Sequence, residues 1–225
     1  MNEFQIRVEK EWNNRAKFWS QRSRTMWETG SRKDIIPFFS KHVPKHASVL
    51  DVGCGDGYGA YKLNERGYNI TGIDISEEMI KECEKHKGET EITFLKRDLC
   101  SLDNSFQESF DAILAINVFE WTPSPLSSLH TCRQILRDKG KLCIGILGPT
   151  AGPRLNSFER LYNREALCHT IMPWELSKLA KENGWIEIAN YGVYKDAVKD
   201  NNLEGLPLQL HQALSFMWVF MFEKN

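Results

Sequence analysis

At Val49-Leu-Asp-Val-Gly-Cys-Gly-Asp-Gly57 an apolar, strand-like run ends in glycines at alternate positions, and Gly59 continues the series. A strand that feeds a glycine-rich turn and then a helix lets the backbone approach a ligand closely. It also offers free N–H groups at the helix start. The same pattern serves as a plain strand-to-helix turn in any α/β protein, so the loop gains meaning only from its spacing and its neighbours. A dinucleotide fingerprint requires G-x-G-x-x-G, whereas here Tyr58 stands where the third glycine would fall. Asp51, just ahead of the loop, suits a cationic ligand better than a pyrophosphate.

Strand and helix patterns alternate around this loop, which predicts an α/β domain with a mostly parallel sheet. Residues 2–27 carry apolar side chains at helical spacing (Phe4, Val8, Trp12, Phe18, Trp19), so one or two leading helices are expected, with another over 32–41. Strands are expected at 48–52, 69–73, 92–96, 110–117, 141–147, 185–191 and 218–223, the fifth entered through a Lys139-Gly140 turn. The stretch Ala112 to Ile116 is apolar throughout, as in a strand buried on both faces. Helices should run up to Arg66, from the Ser76 N-cap to about His86, and over 125–136 and 173–183. Between Gly148 and Met172 the rhythm breaks into a segment richer in Gly, Pro, Asn and Arg, which reads as an insertion.

Hydrophobic residues make up 41% of the 225 residues, enough for a substantial core. The 29 Lys and Arg balance 30 Asp and Glu. No overall field therefore draws the chain to a phosphate backbone, and nucleic-acid binding is not expected. Residues 1–17 are polar, and no run reaches the roughly 18–20 apolar residues of a membrane span. Cys54, Cys83, Cys100, Cys132, Cys143 and Cys168 show no metal-ligand spacing. Reduced thiols, a cytoplasmic location and no metal site are expected.

Two further acids extend the loop's logic. Asp74, in Gly72-Ile-Asp-Ile-Ser76, ends the second strand, where a carboxylate can accept from both hydroxyls of a ribose or can serve as a simple turn acid. Asp98, in Phe94-Leu-Lys-Arg-Asp-Leu99, follows the third strand, where it can accept from an exocyclic amine. With Phe110-Asp-Ala-Ile-Leu-Ala-Ile-Asn-Val-Phe-Glu-Trp121 these stretches resemble, in order and distance, the cofactor half of class I S-adenosylmethionine-dependent methyltransferases. Ile135 to Leu142 is similar to the turn before that family's fifth strand, and the C-terminal strands resemble its closing antiparallel unit.

The resemblance implies a Rossmann-like, doubly wound α/β fold with a seven-stranded, mostly parallel sheet and an antiparallel last strand. It implies one domain: leading helices (1–47) as a partial lid, a cofactor core (48–147), the insertion (148–172) as a substrate lid, and the rest of the sheet (173–225). The cofactor would be S-adenosylmethionine. Gly53, Gly55 and Gly57, with Cys54 between them, would lie under its methionine and ribose, and Asp51 would hold the amino group. Asp74 would take the ribose hydroxyls, Ile75 the adenine face, and Asp98 and Leu99 the adenine edge. Asn117 and Val118 would stand near the methionine.

Methyl transfer from a sulfonium needs alignment of donor and acceptor more than a nucleophilic residue, so these motifs leave the acceptor and the catalytic residues open. Many relatives that act on small molecules carry a histidine near Phe119-Glu-Trp121, and this chain does not. Glu120 is a candidate base or a surface acid, His169 a candidate in the insertion, and His130 a structural residue of a helix. Arg154, Arg160 and Tyr162 are candidates to bind an acceptor, with Arg164 beside them. Trp12, Trp19 and Trp27 would complete the lid or simply pack in the core. The expected activity is methylation of a small molecule by a monomer or homodimer. The alternatives are methylation of RNA or protein, or cofactor binding without transfer; a nicotinamide enzyme is disfavoured by the glycine spacing.

Overall fold

Seven strands, β1 (Ser48–Val52), β2 (Asn69–Asp74), β3 (Thr93–Lys96), β4 (Phe110–Ile116), β5 (Leu136–Leu147), β6 (Trp185–Val193) and β7 (Met217–Lys224), form one sheet in the order β3-β2-β1-β4-β5-β7-β6. They belong to a computed structural model that describes residues 2–102, 106–199 and 203–225. Strands β1 to β5 pair in parallel, and β7 runs antiparallel between β5 and β6. This is the doubly wound α/β architecture with an antiparallel last strand that the alternation and the resemblance imply.

Side chains alternate between the two faces of a strand, and here both faces are buried. Ala112, Leu114 and Ile116 of β4 join Val49, Cys143 and Val219 on one face. Helices α2 (Ile35–Ser40) and α3 (Tyr58–Asn64) cover it with Ile35, Phe39, Ala60 and Leu63. Ile113 and Ala115 join Leu50, Ile144 and Phe220 on the other. There α5 (Pro125–Ile135) and α6 (Pro173–Glu182) supply Leu129, Cys132, Leu176 and Ala180. Helix α4 (Glu77–His86) starts on its Ser76 cap, whose hydroxyl accepts from Met79 N–H (3.1 Å). Two short helices, α7 (Asp196–Lys199) and α8 (Leu208–Leu214), occupy the link from β6 to β7.

The leading segment is one helix, α1 (Glu3–Glu28), rather than two. Gln5, Val8, Trp12, Ala16, Trp19, Ser23 and Trp27 lie three or four residues apart, and this stripe faces the protein. Phe18 falls outside the stripe, because its neighbour Trp19 already fills that turn of the inward face. It is 55% exposed, with the Arg22 guanidinium 4.0 Å over its ring. The next helix begins at Ile35, not Arg32, because turns occupy the residues after α1: Arg32 N–H bonds back to Met26 O (2.9 Å).

Strand β5 is longer than expected. Leu136 already pairs with Phe110, and Lys141 with Ala112, so residues 137–140 bulge opposite Asp111. The Lys139-Gly140 turn is that bulge, with Lys139 at φ 60°. The insertion holds a 3-10 segment over Gly152–Tyr162. Among the described residues, no helix is long and apolar enough to cross a membrane.

Candidate cofactor site

The strand order reverses at β1, which lies between β2 and β4, and open α/β sheets bind ligands outside the strand ends at such a point. A cavity of about 730 Å3, its open mouth included, lies there between the loops that follow β1 to β4 and helix α1.

Gly53 (φ 62°) and Gly55 (φ 59°) form its floor in the left-handed region. A Cβ at Gly53 would stand 2.5 Å from Val118, and one at Gly55 3.2 Å from the Trp19 indole. Gly57 serves a different contact: its Cβ would meet Phe94 (2.9 Å) and Cys83 (3.1 Å), beneath the start of α3. Cys54 also turns from the cavity, with its Sγ 4.0 Å from Cys83 Sγ and its N–H bonded to Ile73 O (3.0 Å).

Three buried carboxylates surround the loop. Asp74 Oδ2 accepts from Gly55 N–H (3.0 Å) and Oδ1 from Ser76 N–H (2.8 Å). Burial raises its pKa to about 6 despite these bonds. Burial pushes Asp51 up to about 8, with Arg32 opposing and Asp74 and Asp56 adding to the shift. Asp56 is raised as well, chiefly by burial, while the Ser23 hydroxyl donates to it (2.7 Å). The nearby cation is Arg32, 8% exposed, whose own pKa falls to about 10 on burial. Its guanidinium lies 4.9 Å from the Trp19 ring and donates to Asn117 Oδ1 (3.3 Å). Three buried acids stand against one buried guanidinium behind the loop, a surplus that suits an ammonium better than a pyrophosphate. Of these only Asp74 and Arg32 line the cavity, where Asp98 and the exposed Arg97 also stand.

Farther along, Ile75 and Leu99 line the cavity opposite Val8, and Asp98 stands beside them. Asp98 accepts from Cys100 N–H (3.0 Å), Ser101 Oγ (3.1 Å) and the Gln5 side-chain amide. Trp12, Trp19 and Trp121 form the aromatic end of the cavity, with Trp12 in edge-to-face contact with both of the others (5.5 and 5.0 Å), and Trp12 and Trp121 share one packed cluster with Val8 and Ile75. Asn117 closes this end at φ 58°, a left-handed conformation that Asn tolerates better than most residues. Trp27 is core: it packs against Gly59, where a Cβ would stand 2.6 Å from its ring.

The acceptor candidates lie behind this wall. Glu120 is 1% exposed, so it is no surface acid, and it does not line the cavity. Its Oε1 accepts from Leu147 N–H (2.6 Å) and its carbonyl from His169 N–H (2.7 Å), joining β4, β5 and the insertion. Burial raises its pKa to about 7. His169 stacks on Phe4 (5.9 Å), and its Nε2 is buried without a protein partner. The Arg154 guanidinium reaches the carbonyls of Leu147 (3.2 Å), Ile171 (3.4 Å) and Thr170 (3.4 Å). Arg160 bonds Ser157 O (2.9 Å) and shares a second groove with His169, away from the cavity. Tyr162 is 60% exposed beside Arg164. His130 faces Asn183 Oδ1 (3.1 Å).

Sequence reasoning passed over Arg32, Gln5 and Val8 as site residues. Gln5 and Val8 were legible only as members of the α1 stripe that contains Trp12 and Trp19. Arg32 carried no local signal, since its partners lie on β1 and after β4.

A methyltransferase-domain family model matches residues 50–144. The ubiquinone biosynthesis O-methyltransferase of Nitrosococcus oceani is 32% identical over 160 residues, 67% of each chain. Its namesake in Alkalilimnicola ehrlichii is 32% identical over 101 residues, 44% of this chain and 41% of that one. Across most such relatives the matched part spans a little under half of their length. Two solved structures share the fold. Magnesium protoporphyrin IX methyltransferase from Synechocystis PCC 6803 with bound SAH has a TM-score of 0.72 at 14% identity, covering 99% of this chain and 100% of that one. A methyltransferase of Haloferax volcanii, solved with the Trm112 methyltransferase activator, has 0.70 at 15% identity, covering 100% and 99%. The chain belongs to the class I S-adenosylmethionine-dependent methyltransferase family, whose cofactor is S-adenosylmethionine.

Proposed function

We propose that this protein transfers the methyl group of S-adenosylmethionine to an oxygen of a small, planar acceptor. The observation that carries the reading is the enclosed aromatic end of the cavity. Trp12, Trp19 and Trp121 meet there under a helix that lies across the site, a space suited to a flat ring rather than to a polymer strand. The O-methyltransferase relatives support the choice of atom.

When bound, the cofactor would supply an activated methyl group, its carbon open to in-line attack by the acceptor oxygen, with the sulfur leaving as the thioether of S-adenosylhomocysteine and the acceptor's proton given up to solvent. The chain's task is to bind, orient and exclude water. In this reading Asp74 takes the ribose hydroxyls, Asp51 the ammonium, Arg32 the carboxylate, and Ile75, Leu99 and Val8 enclose the adenine. Gly53 and Gly55 let the methionine lie against bare backbone, while Cys54 and Gly57 shape the loop from behind. Trp12 and Trp121 stack the acceptor in line, and Asn117 and Val118 form the wall beside the transferred group. Glu120 has a base's pKa, but its bonds to Leu147 and His169 make it the brace of that wall. Residues 1–47 act as the lid; Arg160 and His169 border a second groove away from the cavity, and Tyr162 lies on the exposed face of the insertion. A cytoplasmic setting belongs to the same reading, where the six unpaired thiols stay reduced.

The test uses S-adenosylmethionine with a methyl label and three acceptor sets: catechols and hydroxybenzoates, short amines, and total RNA. Label transferred to a phenolic oxygen, with one S-adenosylhomocysteine formed per methyl, is the expected result. Transfer to RNA alone would reject the reading.

A further inference from the structure

Only two polar side chains stand in the inward stripe of α1, and each donates to a carboxylate of the cofactor loops: Ser23 to Asp56 and Gln5 to Asp98. Gln5 is 6% exposed and uses both ends of its amide. Its Oε1 accepts the Asn2 N–H, completing the capping box that starts α1, and its Nε2 donates to Asp98 Oδ2, with Ser101 Oγ at 3.5 Å. Asp98 Oδ1 accepts from Cys100 N–H and Oδ2 also from Ser101 Oγ (3.1 Å), so the carboxyl is gripped on both oxygens and the one grip from outside its own loop comes from a residue 93 positions away. Gln5 does not line the cavity; Val8 and Trp12, one and two turns further along the same stripe, do.

We propose that Gln5 is the positioning residue for adenine recognition, acting through Asp98. A carboxylate on a loop can rotate to serve solvent as well as a base. Holding Oδ2 from behind fixes the plane of the Asp98 carboxyl, so that the remaining lone pair, on Oδ1, meets an exocyclic amine, which donates. A base that carries a carbonyl at that position presents an acceptor to an acceptor and is rejected. Because the hold comes from α1, the base is read only when the helix that covers the site is docked. The proposal rests on the reading that Asp98 meets the adenine amine.

Calorimetric binding of S-adenosylhomocysteine and its deaminated analogue S-inosylhomocysteine tests this on the full chain, without knowledge of the acceptor. The wild type should prefer the adenine form by more than tenfold. Q5L, which keeps an apolar contact in the stripe, should weaken S-adenosylhomocysteine about tenfold, leave the inosine analogue nearly unchanged and so collapse the preference; Q5N, one methylene shorter, should fall between. Circular dichroism and thermal unfolding establish that the variants are folded. An equal loss for both bases in Q5L would mean that Gln5 only docks the helix, and would overturn the proposal. Preference retained in Q5L but lost in D98A would remove Gln5 while sparing Asp98. Preference retained in D98A would remove the Asp98 assignment and the proposal with it.

Discussion

Around β1 and β2 the chain concentrates positive-φ glycines and three buried acids in a short stretch, so the cofactor end is set by backbone shape and charge. Beyond β5 the insertion is held differently. Arg154 ties it to the carbonyls of Leu147, Thr170 and Ile171, and Glu120 ties it to β4. Its outer surface, including Leu155 (75% exposed) and Tyr162, faces solvent. The first region permits few substitutions because its glycines hold positive φ and Val118, Trp19 and Phe94 stand where a Cβ would go. The second tolerates change on its face and depends on a few braces, as expected where one fold serves many acceptors.

Substitutions should separate the two regions. Gly55→Val has the largest effect: a branched side chain at φ 59° against Trp19 should weaken S-adenosylhomocysteine more than a hundredfold in a folded protein. Calorimetry showing wild-type affinity would detach the loop from the cofactor. Asp74→Ala removes the proposed ribose acceptor and also frees the N–H groups of Gly55 and Ser76. A loss of about 1.5–3 kcal/mol in binding is expected, and an unchanged dissociation constant would place the ribose elsewhere. Arg154→Ala should do the reverse. It should lower folding stability by about 1.5 kcal/mol in denaturant titration while cofactor affinity holds; a weakened cofactor with unchanged stability would erase the distinction drawn above.

The pH response is smaller and carries a sign. Asp51 has its native pKa raised to about 8. Its contribution to stability is therefore complete below the unfolded value near ~3.9 and is lost as pH climbs through 8. Binding an ammonium demands the ionised form. Cofactor affinity should thus fall by about fivefold from pH 8 to pH 7, with nearly one proton released at pH 7. Titrations in buffers of different ionisation enthalpy measure that proton, and none released would free Asp51 of the role. At the bottom of the scale, Arg164→Ala should change stability by less than about 0.5 kcal/mol, because its pair with Glu159 is exposed.

The same contrast explains what could be read from the residues alone. Strand β1 matched its expected limits, and α4 started on its Ser76 cap, because hydrophobic period, glycine and capping chemistry are local signals. The bulge in β5 was read as a turn before a strand, since pairing of Leu136 with Phe110 depends on a register no local window contains. Phe18 and Trp19 looked alike on the helix until the partner surface chose one. Arg32, Gln5 and Glu120 matter through bonds to residues far along the chain or through burial, neither of which leaves a mark in neighbouring letters.

Helix α1 also has a consequence for how the chain matures. It leaves the ribosome before the sheet, yet the partners of Gln5 and Arg32 come 93 and 85 residues later. The strap that completes the cofactor site must wait, its apolar stripe exposed, until β4 has been made. Such late, long-range closure is slow relative to local folding. The nascent sheet therefore assembles with its crevice open to water, and acquires its roof last from a segment synthesised before any of its strands.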